Sequence, residues 1–272
     1  MKKVLITLVN YFGETQLVNF IQSQLLNQQG IDLHICIVDN GSNSTEILED
    51  IAQTSSNITL ISANENLGYL GAASLAYSHF QSNRLYDFDY FILSNYDIVY
   101  SSTDALATLI TLGGKNGFAV FGPQIKTIPQ GSFSNPMFQT RISKSHLKRL
   151  LLVNSWYPFS WAYQLLHNAK KQKKASTSFP TTAACYAIHG SVMVFSNEFF
   201  NANNTLDYPS FLYGEEIYIA EQCLQKNLKV GFISEVEVIH DEHITTGKIK
   251  NRKHMIYLRE SLRFLNNHFF KN

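Results

Sequence analysis

With 272 residues, 45% of them hydrophobic, the chain can bury a sizeable core, which excludes intrinsic disorder and fits one large domain or one domain with an appendage. Its formal charge of +1 argues against nucleic acid as the main partner, although the average hides a basic middle: positions 105–197 contain no Asp or Glu. Three widely spaced cysteines, Cys36, Cys185 and Cys223, form no CxxC pair, which argues against a disulfide framework or a zinc site and points to a reducing, cytoplasmic setting.

The opening residues, MKKVLITLVN, put lysines before an apolar run. That run covers only 4–9 and lacks a small-residue cleavage site, so it reads as a strand and not as a signal peptide. A helix follows over 14–27, with Leu17, Ile21 and Leu25 on one face and Gly30 placed to end it. Strand 33–38, helix 44–54, strand 58–61, helix 70–81, strand 90–93 and helix 103–112 continue the alternation. Such alternation implies right-handed crossovers and a mainly parallel sheet covered on both faces, an α/β nucleotide-binding unit. After Gly113 the pattern loosens into a strand at 118–121, a loop rich in Gly, Pro and Ser at 123–138, and helices at 143–153 and 159–174. A strand at 187–195 leads to a short helix at 198–202 with Ser196 as its N-cap. Helix 215–226, strands 230–233 and 236–239, and helix 253–269 complete the chain. No stretch approaches the roughly 18 apolar residues needed to span a bilayer, so any membrane contact would be peripheral.

Six polar clusters fall where strands end or helices begin. Asn10, Tyr11 and Phe12 follow the first strand, and Asp39 with Asn-Gly follows the second, suited either to a base or ribose or to an ordinary turn. NENLGYLGA brings Gly68 and Gly71 to a helix start, where glycine allows close backbone approach and the helix end favours phosphate. Its spacing matches neither a Walker A loop nor GxGxxG. DYFILSNYD is a buried strand that stops at Asn95 and Asp97, at the carboxyl end where open α/β sheets bind ligands. FLYGEE places Glu215 and Glu216 in a first helical turn, and VIHDEH puts His240 at a strand end. Histidine with aspartate is a proper ligand set for a divalent ion that also holds diphosphate oxygens.

In this order the clusters resemble the inverting glycosyltransferases of family 2, with the GT-A fold, and among them the rhamnosyltransferase-like branch. The resemblance runs from Val4 to about His243 and, more loosely, into the last helix. It implies nucleotide contacts at Asn10, Asp39, Asn66 and Gly68. LSNYD resembles an LLNPD version of the DxD motif, which implies Asp97 as metal ligand with Asn95 in place of the first acid. HGSVMVF implies a sugar- and acceptor-facing pair at Gly190 and Ser191, VIH implies His240 as a late metal ligand, and FLYGEE, like FLYGED, implies a general base at Glu216. Tyr96 stands where proline is usual, and Glu216 where aspartate is usual, which keeps Glu215 as the fallback base. Arg252 lies where it could also meet the diphosphate.

The implied organisation is a nucleotide-sugar half at 1–112, an acceptor and catalytic half at 113–247, and a C-terminal helix at 248–272, in one structural domain. The implied chemistry is metal-dependent transfer, with magnesium or manganese, of rhamnose or a hexose from a dTDP- or UDP-sugar to a glycan or polyprenyl-linked acceptor. The segment 141–174 interleaves Lys and Arg with Leu and Trp and has no acid, which suits an anionic membrane surface on the inner face of the cell membrane, an acceptor or dimer surface, or a solvated face over ordinary core packing. Two rivals stand beside transfer: a catalytically silent sugar-nucleotide-binding protein, and a nucleotidyltransferase. The second would need a glycine-rich basic signature near the first strand, and 10–14 holds no Lys or Arg.

Overall fold

A computed structural model describes residues 1–42, 45–83, 86–128, 131–155, 181–241 and 252–271. The helix expected over 159–174, most of the basic segment, and Glu242 and His243 lie outside the described residues. The first half alternates as its periodicity dictates: β1 (Lys2–Asn10), α1 (Glu14–Phe20) running into a π-helical turn (Ile21–Leu25), β2 (Ile31–Asp39), α2 (Glu46–Gln53), β3 (Ile58–Ser62), α3 (Tyr69–Asn83), β4 (Tyr90–Ser94), β5 (Ile98–Tyr100) and α4 (Ala105–Lys115). The second half is β6 (Val120–Ile128), β7 (Ser132–Phe133), α5 (Lys144–Val153), β8 (Ala183–Cys185), β9 (Val192–Ser196), α6 (Asn197–Asn201), α7 (Glu215–Gln225), β10 (Val230–Asp241) and α8 (Arg252–Phe269).

Among the described residues one sheet runs in the order β3-β2-β1-β4-β9-β6-β10-β5, with β7 on β6 and β8 on β10. β1 pairs in parallel with both β2 and β4, so the strand order reverses at β1. Where it reverses, two crossovers leave in opposite directions and open a crevice at the carboxyl ends. β9 is antiparallel to β4 and to β6, while β6 and β10 are parallel.

Because successive strand residues point to opposite faces, the apolar runs feed two cores. Leu5, Cys36, Val38, Phe91 and Leu93 pack with α3, α5, α7 and α8. Val4, Ile6, Leu8, Ile35, Ile37 and Ile92 pack with α1, α2 and α4 on the other side. The result is a three-layer sandwich that holds the carboxyl ends of β1, β2 and β4 fixed.

Four local expectations are corrected. The strand foreseen at 118–121 begins at Val120 and continues through Ile128 into the supposed loop, because β10 and β9 pair with it on either side. The strand foreseen at 187–195 is shorter, Val192–Ser196, since His189–Ser191 form a turn that leads into it. The strands foreseen at 230–233 and 236–239 are one, with a bulge between Ile233 and Glu237. Ser196 stands at the N-cap of α6 without capping it; its hydroxyl donates to the Ala119 carbonyl at 3.2 Å. By contrast, the Ser143 hydroxyl caps α5, accepting from the His146 N–H at 3.1 Å.

Candidate active site

The carboxyl ends of the strands carry a connected polar network. Asn10 and Asp39 are register partners on β1 and β2. The fully buried Asn10 amide donates to Asp39 Oδ1 at 2.8 Å and to Glu14 Oε1 at 3.1 Å, and Asn10 Oδ1 accepts the Gly13 N–H at 3.1 Å. The Ser42 hydroxyl donates to the same Asp39 oxygen. Asp39 is thus preset by Asn10 on the neighbouring strand and by Ser42 in the loop that follows it.

Asn40 stitches this loop to the next. Its Oδ1 accepts the Leu67 N–H at 2.8 Å, and its amide donates to Asn66 Oδ1 at 2.9 Å and to the Gly68 carbonyl at 3.2 Å. Asn66 Oδ1 also accepts the Gly68 N–H at 3.0 Å, so Asn66 organises the turn. Gly68 has φ +76, and a Cβ there would collide with the Phe211 carbonyl, so no other residue fits without displacing the FLYGEE loop. The loop before α3 and the FLYGEE loop therefore meet at this glycine.

After β4 the chain crosses to the far side of β10. There β5 pairs antiparallel, with Ile98 opposite His240. That pairing, absent from the sequence reading, is what brings Asp97 to His240: His240 Nε2 lies 3.2 Å from Asp97 Oδ1, and the two side chains are 7% and 0% exposed. His240 Nδ1 is buried with no hydrogen-bond partner among the described residues. A carboxylate and an imidazole with an orphaned ring nitrogen fit a divalent ion. No group of three or more metal-ligating side chains forms among the described residues, so phosphate and water would complete such a site. Tyr96, between Asn95 and Asp97, is buried and packs on Gly13, where a Cβ would strike the phenol; burial and then Asp97 push its hydroxyl up to about 12.

The turn before β9 sits beside these side chains because β9 runs antiparallel to β4, with Val192 opposite Ser94. The Asn95 N–H donates to the Ser191 carbonyl at 2.8 Å. Asn135 anchors the turn from below, its Oδ1 accepting the His189 N–H at 2.7 Å. The His189 ring accepts from the Ser191 N–H through Nδ1 at 3.2 Å, and its centroid lies 5.7 Å from that of His240.

The two glutamates of α7 part company. Gly214, in the left-handed region at φ +81, turns the chain into the helix, and Glu215 folds back to accept the Tyr213 N–H at 2.8 Å. Glu215 is buried; desolvation and then the charge of Glu216 push its carboxyl up to about 8. Glu216 is half-buried, and its Oε1 lies 2.8 Å from where a Gly190 Cβ would stand. Desolvation raises its carboxyl too, against its own N–H and that of Gly190, which favour the ionised form. From behind, α8 clamps the loop: the Tyr208 hydroxyl donates to the Tyr213 carbonyl at 2.9 Å and meets Ser261 Oγ at 2.6 Å, and His254 Nδ1 meets the Tyr213 hydroxyl at 2.7 Å.

Asn10, Asp39, Asn66 and Gly68 thus belong to one network, and Asn95, Asp97, Gly190, Ser191, Glu216 and His240 to the turns beside it. Arg252 is exposed at the start of α8, outside this constellation. Sequence reasoning passed over Asn40, Tyr69 and His189. The Asn-Gly pair flagged a turn at Asn40, but local chemistry carries no sign of its bonds to residues 26 and more positions away.

A family model described as Glycosyl transferase family 2 matches residues 4–184. No curated protein sequence matches the chain. Among solved structures, GalNAc-T7 with UDP, GalNAc and Mn2+ superposes with a TM-score of 0.58 at 14% identity, over 89% of this chain and 44% of that one. The mannosyltransferase PcManGT from Pyrobaculum calidifontis, in complex with GDP-Man and Mn2+, gives 0.55 at 12% identity, over 90% of this chain and 58% of that one. The chain thus spans about half the length of these neighbours, and at such identity the likeness establishes the fold, which is GT-A.

Proposed function

The chain belongs to glycosyl transferase family 2, and from that premise we propose that it moves rhamnose or a hexose from a dTDP- or UDP-sugar to a hydroxyl of a glycan or lipid-linked glycan, with inversion, in cell-surface polysaccharide synthesis. One observation carries the reading. The same turn that receives the Glu216 carboxylate at Gly190 also holds Asn95, two residues before Asp97, through the Ser191 carbonyl. A base and a metal-ligand carboxylate are therefore referred to one rigid piece of backbone.

Asp39 and Asn10 would orient the nucleoside, and the NLG turn would approach the phosphates with its backbone. Asp97 and His240 would hold a magnesium or manganese ion, which when bound supplies positive charge against the diphosphate leaving group. Glu216 would accept the proton of the acceptor hydroxyl as its oxygen attacks the anomeric carbon from the face opposite the diphosphate. Burial that raises the Glu216 carboxyl makes it a stronger base than a free glutamate. Glu215, bonded into its own loop through the Tyr213 N–H, would hold the turn that presents Glu216.

We place the enzyme in the cytoplasm with a peripheral membrane contact through 141–174. Part of that segment is already spent: Arg141 makes a two-pronged pair with Glu221 at 2.7 and 2.8 Å. The remaining lysines would meet the anionic lipid, and flotation with anionic vesicles at low salt is expected to recover the protein. No helix of the described residues is long and apolar enough to cross a membrane.

A thermal-shift panel of UDP- and dTDP-sugars with and without manganese, followed by a transfer assay with the donor that stabilises most, tests the proposal. Glu216→Gln is expected to lose about a hundred- to ten-thousand-fold in turnover while still binding nucleotide. Unchanged turnover would remove Glu216 from the chemistry.

A further inference from the structure

Tyr69 opens α3 directly after Gly68, whose left-handed backbone and contact with the Phe211 carbonyl fix where the helix starts. The Tyr69 hydroxyl leaves its own loop and donates to the Gly190 carbonyl, 3.2 Å away and 121 residues later. On its other side Gly190 lies against Glu216, whose Oε1 stands 2.8 Å from where a Gly190 Cβ would be. The following residue, Ser191, accepts the Asn95 N–H through its carbonyl at 2.8 Å. Gly190 is therefore the hub where the nucleotide loop, the Asn95–Asp97 turn and the α7 carboxylate meet, and the phenol is its tie to the nucleotide loop.

We infer that Tyr69 is a positioning residue: through its bond to Gly190 it sets where the Glu216 carboxylate stands relative to the Asn95–Asp97 turn. The inference rests on the assignment of Glu216 as base. A glycine turn needs such a tie, because Gly190 has no side chain with which to lock itself and its missing Cβ is what admits the carboxylate to within contact. The tie is also permanent at working pH. Burial, and then the charges of Asp97, Glu215 and Glu216, keep the phenol well above its usual pKa, so it stays a donor.

Tyr69→Phe removes the hydroxyl and keeps the ring. Turnover should fall roughly ten- to a hundred-fold, the scale of a small displacement of a reacting group. Donor KM and the affinity for UDP with manganese, measured by calorimetry, should stay within about two-fold. In a Glu216→Gln background the same substitution should cost less than about two-fold, since a residue acting through Glu216 has nothing left to position. Full additivity would overturn the inference, as would loss of UDP binding. Hydrogen exchange provides a readout independent of transfer: amides at 187–195 should exchange faster in Tyr69→Phe, and those at 36–42 unchanged. Identical exchange at 187–195 would overturn the inference with or without turnover. Retained turnover in Glu216→Gln alone would instead overturn the base, leaving the exchange result to judge the tie.

Discussion

Asp97 is the residue on which donor binding should depend most. Its carboxylate is fully buried against His240, and burying an acid is costly unless a cation or hydrogen bonds compensate. Asp97→Ala is expected to abolish the manganese-dependent part of nucleotide binding, seen as loss of the metal-induced thermal shift with UDP; an intact shift would refute the metal role. The strand end and the two polar residues after it were legible in the sequence, because a short apolar run must stop where its side chains turn polar. Their partner was legible only as a second strand end. The contact itself depends on β5, three residues long and too short to show a periodicity.

At the scale of elements, the first hundred residues were readable because each strand and helix carries its own apolar period. The second half was less so, since β6, β9 and β10 owe their lengths to neighbours far along the chain. Besides the strand pairings, the halves also meet where Gly68 stands against Phe211. Gly68→Ala meets both a left-handed backbone, costing about 1–2 kcal/mol, and a carbonyl that must move. It should lower the urea midpoint and weaken nucleotide binding together. If only stability falls, the loop contact is structural and does not shape the nucleotide side.

For the molecule as a whole, the buried acid pair makes stability depend on pH. Glu215 rises from 4.5 in the unfolded chain to about 8 when folded, so the folded state holds its proton more tightly. Its contribution is fully present below about 4.5 and is lost as pH rises through about 8, so stability should decline across that window. Glu215→Gln should flatten the decline in urea or thermal melts taken from acid to mildly alkaline pH; an unchanged slope would contradict the shift. Activity should run the other way, because a base must be ionised: turnover should climb with pH on a limb set above the ordinary carboxylate range. The enzyme would then gain rate as it loses margin. Net charge gave no hint of this, since the formal +1 averages over groups that the fold neutralises, such as Arg141 on Glu221.

The packing of Tyr96 on Gly13 also constrains the order in which this site can change. Any side chain at 13 collides with the phenol, whereas a smaller residue at 96 leaves a gap beneath the first loop. A path that exchanges the tyrosine for proline must therefore shrink position 96 first and fill position 13 second. The reverse order passes through an intermediate in which the new side chain and the phenol claim the same space, so a change at 13 depends on a prior change at 96, whereas a change at 96 does not depend on one at 13.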